Sequence, residues 1–248
     1  MRPLARSSLA SLPPYSKQLM FWYDADKPNA RTGTNIWNQF HDFNTSFGGT
    51  IDQHDAVMTN LICWLSSYNG HSAFGGDYFG YNYVQTEMAV SLQENWWIDC
   101  WTYFDPSVAG NNLFGAGTTA ASSGLHIVYN GTNESGVRFG MYSNDTDFTH
   151  GMTAGNWYHL AFGYNDFSPY KKSMFVDGVE LTGTVVGSQG RWLGGSDHIS
   201  IGKSYGSTYT SQSTYGGAYF AVVRFYYYES ITAKNVQRNF RAEQSRFK

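Results

Sequence analysis

A stretch of strict two-residue alternation, followed by an Asp-Gly pair, is the feature that most constrains the fold of this chain. Residues 157–164, W-Y-H-L-A-F-G-Y, place alternate side chains on the two sides of an extended segment. This period predicts a β-strand with one buried face. Asp177 and Gly178 follow the apolar residues of a second strand, and this pair tolerates the positive φ angles of a tight hairpin turn. The region therefore predicts antiparallel sheet.

The composition of the whole chain is that of a compact all-β protein. Of its 248 residues, 18% are aromatic and only 14% are charged, and 27 glycines stand against 6 prolines. Aromatic residues favour strands, and glycine favours the turns between them. No apolar run reaches the roughly 20 residues that a membrane span needs. The net charge of −3 provides no basic surface for nucleic acid. We therefore expect neither a membrane nor a nucleic-acid partner.

A long strand over residues 87–104 is predicted to lie in the middle of a sheet. Trp97, Asp99 and Trp101 alternate with Trp96, Ile98, Cys100 and Thr102. Because apolar residues occur on both faces, we expect the second sheet to cover this strand on at least one side.

The end of the chain predicts a helix. Thr232 is a competent N-cap, and Ile231 with Val236 has the spacing of a hydrophobic staple. Val236 and Phe240 form an i,i+4 apolar stripe.

These patterns, taken in order, resemble laminin-G-like and concanavalin A-like jelly-roll domains. The segment W-Y-H-L-A to V-D-G at 157–178, F-G-G-D-Y-F at 74–79 and H-I-S-I-G at 198–202 are similar to strands of that family. Residues 227–240, Y-Y-E-S-I-T-A-K-N-V-Q-R-N-F, with Arg246-Phe247, resemble the closing helix of viral and bacteriophage members. The resemblance covers residues 19–247. It implies an all-β, two-sheet antiparallel jelly-roll sandwich of the concanavalin A-like type with a short C-terminal helix.

The resemblance also supplies the expected organisation and function. We predict an extended N-terminal arm over residues 1–18 and one laminin-G-like domain over 19–248. The function implied is that of a non-enzymatic virion structural protein, a minor capsid, decoration or fibre-associated subunit. Its partners would be other virion structural proteins in a multi-copy assembly, and its location the capsid or tail surface. The alternative function is a carbohydrate-binding or adhesion module for host-surface glycans.

Aromatic residues in the loops after residue 188 are the candidate sugar-binding groups. Rigid rings stack against pyranose rings, while polar side chains bond the hydroxyl groups. The candidate carbohydrate-binding residues are Trp192, Asp197, Tyr205, Tyr209 and Tyr215.

Catalytic and metal-binding motifs are not found in the sequence. Retaining glucanases of this fold family carry paired carboxylates in an E-x-D-x-x-E string, which does not occur here. There is no H-E-x-x-H zinc motif either. We therefore expect no enzyme, no catalytic residues and no dedicated metal site. Asp24-x-Asp26 and residues 144–147, N-D-T-D, contain oxygen ligands that leave calcium open as a cofactor.

His159 and the two cysteines are predicted to have structural roles. His159 is expected to be a structural histidine bonded to the backbone. Cys63 and Cys100 each stand beside a tryptophan, which favours reduced, buried thiols and leaves a single bridge between them as the alternative.

Overall fold

The fold is known from a computed structural model, which describes residues 19–26, 31–32, 36–37, 56–59, 63–75, 83–86, 89–104, 111–130, 136–204 and 218–248. The predicted arm over 1–18 lies outside these residues. In chain order the elements are β1 (Leu19–Asp24), β2 (Arg31–Thr32), β3 (Ile36–Trp37), β4 (Ala56–Thr59), β5 (Cys63–Tyr68), β6 (His71–Gly75), β7 (Tyr83–Thr86), β8 (Val90–Ser91), β9 (Trp96–Phe104), β10 (Asn111–Gly117), β11 (Gly124–Asn130), β12 (Gly136–Met141), β13 (Asn144–Thr149), β14 (Trp157–Asn165), β15 (Lys171–Val176), β16 (Val179–Glu180), β17 (Gly183–Gly187), β18 (Ser196–Asp197), β19 (Ser200–Ile201), β20 (Ala218–Tyr227) and α1 (Ala233–Phe247).

Two antiparallel sheets form a sandwich. The first sheet has the strand order β16-β15-β14-β9-β20-β6-β5, and β1 also pairs with β20. The second has the order β17-β13-β12-β11-β10-β19-β7-β4-β3-β2, and β8 pairs with β18 in a small ribbon. The predicted two-sheet antiparallel sandwich with a C-terminal helix is confirmed, and β9 lies in the interior of its sheet as expected.

The main hydrophobic core fills the space between the two sheets. Alternate residues of the facing strands point into it, including Trp96 and Ile98 from β9 and Ile127 and Phe139 from the second sheet. Cys100 also lies in this core as a free, buried thiol. The side chain of Cys63 lies outside the described residues.

A second hydrophobic cluster lies on the other face of the first sheet, beneath α1. Trp97, Trp101 and Ala161 belong to it, together with Val236 and Phe247 of the helix. Strand β14 is therefore buried on both faces, and the prediction of a single buried face was wrong. The residues that alternation would have assigned to solvent are covered by α1.

Helix α1 begins as the sequence predicts. Thr232 is the N-cap, in an extended conformation, and its side chain accepts a hydrogen bond from the backbone N–H of Asn235. The turn between β15 and β16 also agrees with prediction, since Asp177 and Gly178 both have positive φ angles, 48° and 83°. No helix among the described residues has the length and apolarity to cross a membrane.

A buried set of charges connects the helix to the first sheet. Asp99 of β9 is 3.2 Å from the guanidinium of Arg224 on β20, and both side chains are almost completely buried. Asn239 of α1 donates a hydrogen bond to Asp99 at 2.5 Å. Glu243 of α1 accepts hydrogen bonds from Arg224 and, at 2.9 Å, from Nε1 of Trp101. The buried charges are therefore paired, which is the condition for keeping ions away from water.

His159 belongs to this cluster. Its Nε2 lies 3.5 Å from Oδ2 of Asp99, and neither ring nitrogen has a hydrogen-bond partner among the described residues. Within the described structure, the expected bond between the His159 ring and the backbone is therefore not formed. The backbone N–H of His159 instead donates to the Asp177 carboxylate at 3.0 Å.

The environment of Asp99 couples its protonation to folding. Burial alone would raise the pKa of the Asp99 carboxyl, but Arg224, His159 and Asn239 more than offset this and hold the pKa below its ordinary value. A carboxyl whose pKa is lower in the folded chain stabilises the fold above its ordinary pKa of about 4, and this contribution is lost as the pH falls through the folded-state pKa.

We predict that Asp99→Asn lowers the free energy of unfolding by about 3–5 kcal/mol at pH 7, because it leaves a buried guanidinium without its full counter-charge. The control is Asp147→Asn, which removes the partner of Arg138 at a half-exposed pair on the second sheet and should cost about 0–1 kcal/mol. Urea denaturation of both variants measures the difference. Equal, small losses would show that the buried cluster does not hold the helix.

Candidate functional site

Three loops meet at the end of the sandwich where β14 finishes. We call residues 92–95, 166–170 and 188–195 the loop rim. The rim presents two strongly exposed apolar side chains, Phe167 at 68% and Leu193 at 67% exposure. It lies next to the start of α1, because Asn95 donates a hydrogen bond to Ser230 at 2.9 Å.

Tyr164 and Asp166 hold the loop rim together. The hydroxyl of Tyr164 accepts a hydrogen bond from the backbone N–H of Trp192 and donates to the Asp166 carboxylate, both at 2.9 Å. Burial raises the pKa of Tyr164 well above its ordinary value, so the hydroxyl remains a donor at neutral pH. Arg191 also donates to Asp166 at 2.9 Å. These bonds fix the loop over 188–195 against the end of β14.

A polar pocket of about 300 Å³ opens beside this rim, between the edge of the first sheet and the start of α1. Gly163 of β14 gives it its shape, because a side chain at that position would collide with Ile231. The polar pocket is lined by Gly163, Tyr164, Asn165, Lys171, Ser173, Phe175, Glu180, Ser230, Ile231, Thr232 and Ala233.

The polar groups of the pocket differ in whether they already have partners. Lys171 and Glu180 form an ion pair at 3.0 Å, with side chains 62% and 42% exposed. The Oδ1 of Asn165 accepts from the backbone N–H of Phe167 at 3.2 Å. Ser173 is only 6% exposed, yet no hydrogen bond of its hydroxyl to any described residue is found. Ser173 Oγ is not one of the fully enclosed, unpartnered side-chain atoms of the described residues, so it is open to the pocket and available to a ligand there.

The pocket combines several kinds of polar group with an apolar wall. Hydroxyl, amide, ammonium and carboxylate groups surround an apolar wall formed by Phe175 and Ile231. Among the described residues that line it, Glu180 is the one carboxylate, and there is no histidine or cysteine. Glycoside hydrolysis requires two carboxyl groups in most families.

Two of the five predicted site residues, Trp192 and Asp197, are described by the structure, and both have structural roles. Trp192 is 1% exposed and belongs to the main core, so the expectation that its ring forms a sugar platform is corrected. The ring is enclosed because Gly117 and Gly194 leave room for it. Asp197 accepts hydrogen bonds from the backbone N–H groups of Gly117 and His198 and thereby fixes local structure.

The other three predicted residues, Tyr205, Tyr209 and Tyr215, lie outside the described residues. The pocket residues Lys171, Ser173 and Glu180 were not among the predicted site residues. A signal for the first two exists in the sequence: K-K-S at 171–173 puts two polar groups on the same face of β15 as the apolar Phe175.

Three of the carboxylates considered as possible calcium ligands form ion pairs with arginine side chains instead. Arg246 donates to Asp24 at 2.7 Å and to Asp26 at 2.6 Å. The Asp147 carboxylate accepts two hydrogen bonds from Arg138, one from Nε and one from a terminal nitrogen, both at 2.8 Å. In the described part of the chain, no three His, Cys, Asp or Glu side chains converge as a metal site would require.

Several solved structures share the two-sheet antiparallel β-sandwich of this chain. Trypanosoma rangeli sialidase matches it with a TM-score of 0.58 and 15% sequence identity, over 92% of this chain and 33% of the sialidase chain. Botulinum neurotoxin type C, whose cell entry is dependent upon interaction with two ganglioside molecules, matches with a TM-score of 0.58 and 10% identity, over 91% of this chain and 51% of the toxin chain.

The botulinum neurotoxin serotype D/C VPI 5993 binding domain gives a TM-score of 0.58 and 11% identity, over 91% of this chain and 52% of that chain. This chain thus spans from one third to about half of the solved structures it resembles, and at these identities the likeness is one of fold. Neither a protein-family model nor a curated protein matches the sequence.

We predict that Trp192→Ala lowers the free energy of unfolding by about 3–5 kcal/mol, because it leaves a large cavity in the core. The neighbouring Leu193→Ala, at an exposed position, should change stability by no more than about 0.5 kcal/mol. Chemical denaturation monitored by fluorescence compares the two. A Trp192→Ala protein of unchanged stability would mean that the ring is not a core residue.

Proposed function

We propose that this chain is a carbohydrate-binding module that holds a sugar residue in the polar pocket. The observation that carries the proposal is a pocket of about 300 Å³ in which the Ser173 hydroxyl and other polar groups stand beside an apolar wall. That volume is at the lower end of the range for small-ligand sites, about 300–1,000 Å³. It suits one or two sugar rings rather than a large cofactor.

The chemistry of the lining supports a polyhydroxylated ligand. Asn165, Lys171 and Ser173 offer donors and acceptors on one side, and Phe175 with Ile231 forms an apolar wall. A sugar ring presents the same combination, with hydroxyl groups at its edge and C–H groups on its faces. Phe167 is exposed two residues beyond Asn165 and can extend the apolar contact to a second sugar.

Similar folds give further support. A neurotoxin of the same fold class interacts with gangliosides, and a ganglioside carries a glycan. The single carboxylate of the pocket favours binding without turnover, so the proposal is for a non-enzymatic module.

The setting we propose is a virion surface, where a glycan-binding module would serve host attachment. This proposal comes from the sequence resemblance to viral structural proteins and stays a prediction. Mass spectrometry of purified virions tests it: the chain should be found there in many copies, and its absence would rule the setting out.

The binding function is tested on a glycan array followed by titration of the glycans that bind. We expect Ser173→Ala to weaken binding about threefold to tenfold, the equivalent of one ligand hydrogen bond. Thr184→Ala is the matched control, because it removes a hydroxyl from an exposed position on β17 in the second sheet. It should leave affinity unchanged.

The results distinguish a chain that does not bind glycans from one that binds them outside the polar pocket. An array without any bound glycan would overturn the proposed function. Binding that is insensitive to Ser173→Ala would retain a glycan-binding chain but remove the polar pocket as its site.

A further inference from the structure

We propose that the sugar bound in the polar pocket carries a carboxylate, and that this group is held at the start of helix α1 beside Lys171. The inference rests on the proposed function and specifies its substrate class. It follows from three features of the pocket: the start of the helix, the Ser173 hydroxyl and the exposed ion pair between Lys171 and Glu180.

The start of α1 carries partial positive charge, because backbone N–H groups there lack hydrogen-bond acceptors within the helix. Thr232 satisfies the backbone N–H of Asn235 through its side chain and that of Val236 through its carbonyl, at 3.2 and 3.1 Å. The N–H groups of Ala233 and Lys234 have no acceptor within a helix that begins here. No acidic residue lies in the first turn of this 15-residue helix. Thr232 and Ala233 line the pocket, so the positive end of the helix dipole adjoins it.

The Ser173 hydroxyl points independently to a ligand. It comes from β15 and not from the helix, and it belongs to a residue that is only 6% exposed. It is open to the same pocket and has no hydrogen-bond partner among the described residues. A hydroxyl can donate to a carboxylate oxygen, and hydrogen bonds to an ionised acceptor are roughly twice as strong as neutral ones.

The ion pair at the pocket provides a cation that an anionic ligand can recruit. Lys171 and Glu180 are both substantially exposed, and exposed pairs of this kind contribute little stability. Lys171 can therefore exchange Glu180 for a ligand carboxylate at small cost. Glu180 itself repels an anion, which gives the proposal a test of definite sign.

The test compares two acidic sugars with their uncharged methyl esters: N-acetylneuraminic acid and glucuronic acid, each against its ester. Titrations followed by NMR on the whole chain should show the acid of at least one pair binding about fivefold or more tighter than its ester, as expected for a helix start acting with a lysine. Equal binding of acid and ester in both pairs would overturn the inference while leaving sugar binding intact.

Two variants that change a charge in the pocket test where the ligand carboxylate binds. Glu180→Gln should tighten binding of the acid about twofold to fivefold relative to the ester, whereas Lys171→Met should weaken the acid by a similar factor relative to the ester. Arg138→Gln is the control, because it removes a positive charge from the second sheet and should alter neither ligand. If Glu180→Gln has no effect or weakens acid binding, the carboxylate does not lie at the start of α1.

If neither pair binds although neutral glycans bind on the array, the inference is wrong and the proposed function stands. If no sugar binds in any format, the proposed function itself fails. Thermal melting of each variant confirms that it is folded before binding is compared.

Discussion

The contact between Asp99 and Arg224, buried on the outer face of the first sheet, is the interaction on which the rest of the structure depends. Two opposite charges in this position are stable only when each has further partners, and α1 provides them through Asn239 and Glu243. The helix is thereby fixed in place and direction. It closes a second hydrophobic cluster over a face of the sheet that would otherwise meet water.

The same helix builds the candidate site with its other end. Because its middle is held at Asp99, its start lies beside β14, where Gly163 admits Ile231. The position of Ile231 in the pocket wall therefore depends on Asp99 and Arg224, which do not line the pocket. Tyr164 lines the pocket and also holds the loop rim through its hydrogen bonds with Asp166 and Trp192, so the rim and the pocket share one anchor.

The sequence predicted the framework better than the site. Alternation in β14, the Asp177-Gly178 turn and the Thr232 cap are local signals, and they correctly predicted a strand, a turn and a helix start. The alternation did not predict that both faces of β14 are buried. Burial depends on contacts that local patterns do not contain. Trp192 looks like a binding residue because of its type and its loop, yet Gly117, 75 positions earlier in the chain, helps to make room for its ring in the core. The pocket also combines strands with the start of α1, which alternation within one strand cannot reveal.

The position of β20 has a consequence for how the chain folds. This strand is the last in the sequence, but it pairs with β1, β6 and β9. Until it is synthesised, the first sheet remains divided, with β1 and β9 each lacking a neighbour. Long-range pairing of this kind is slow to form, and open strand edges invite association between chains. A chain that has not yet reached residues 218–227 therefore leaves edges of the first sheet unpaired, and association between chains is favoured until β20 is made.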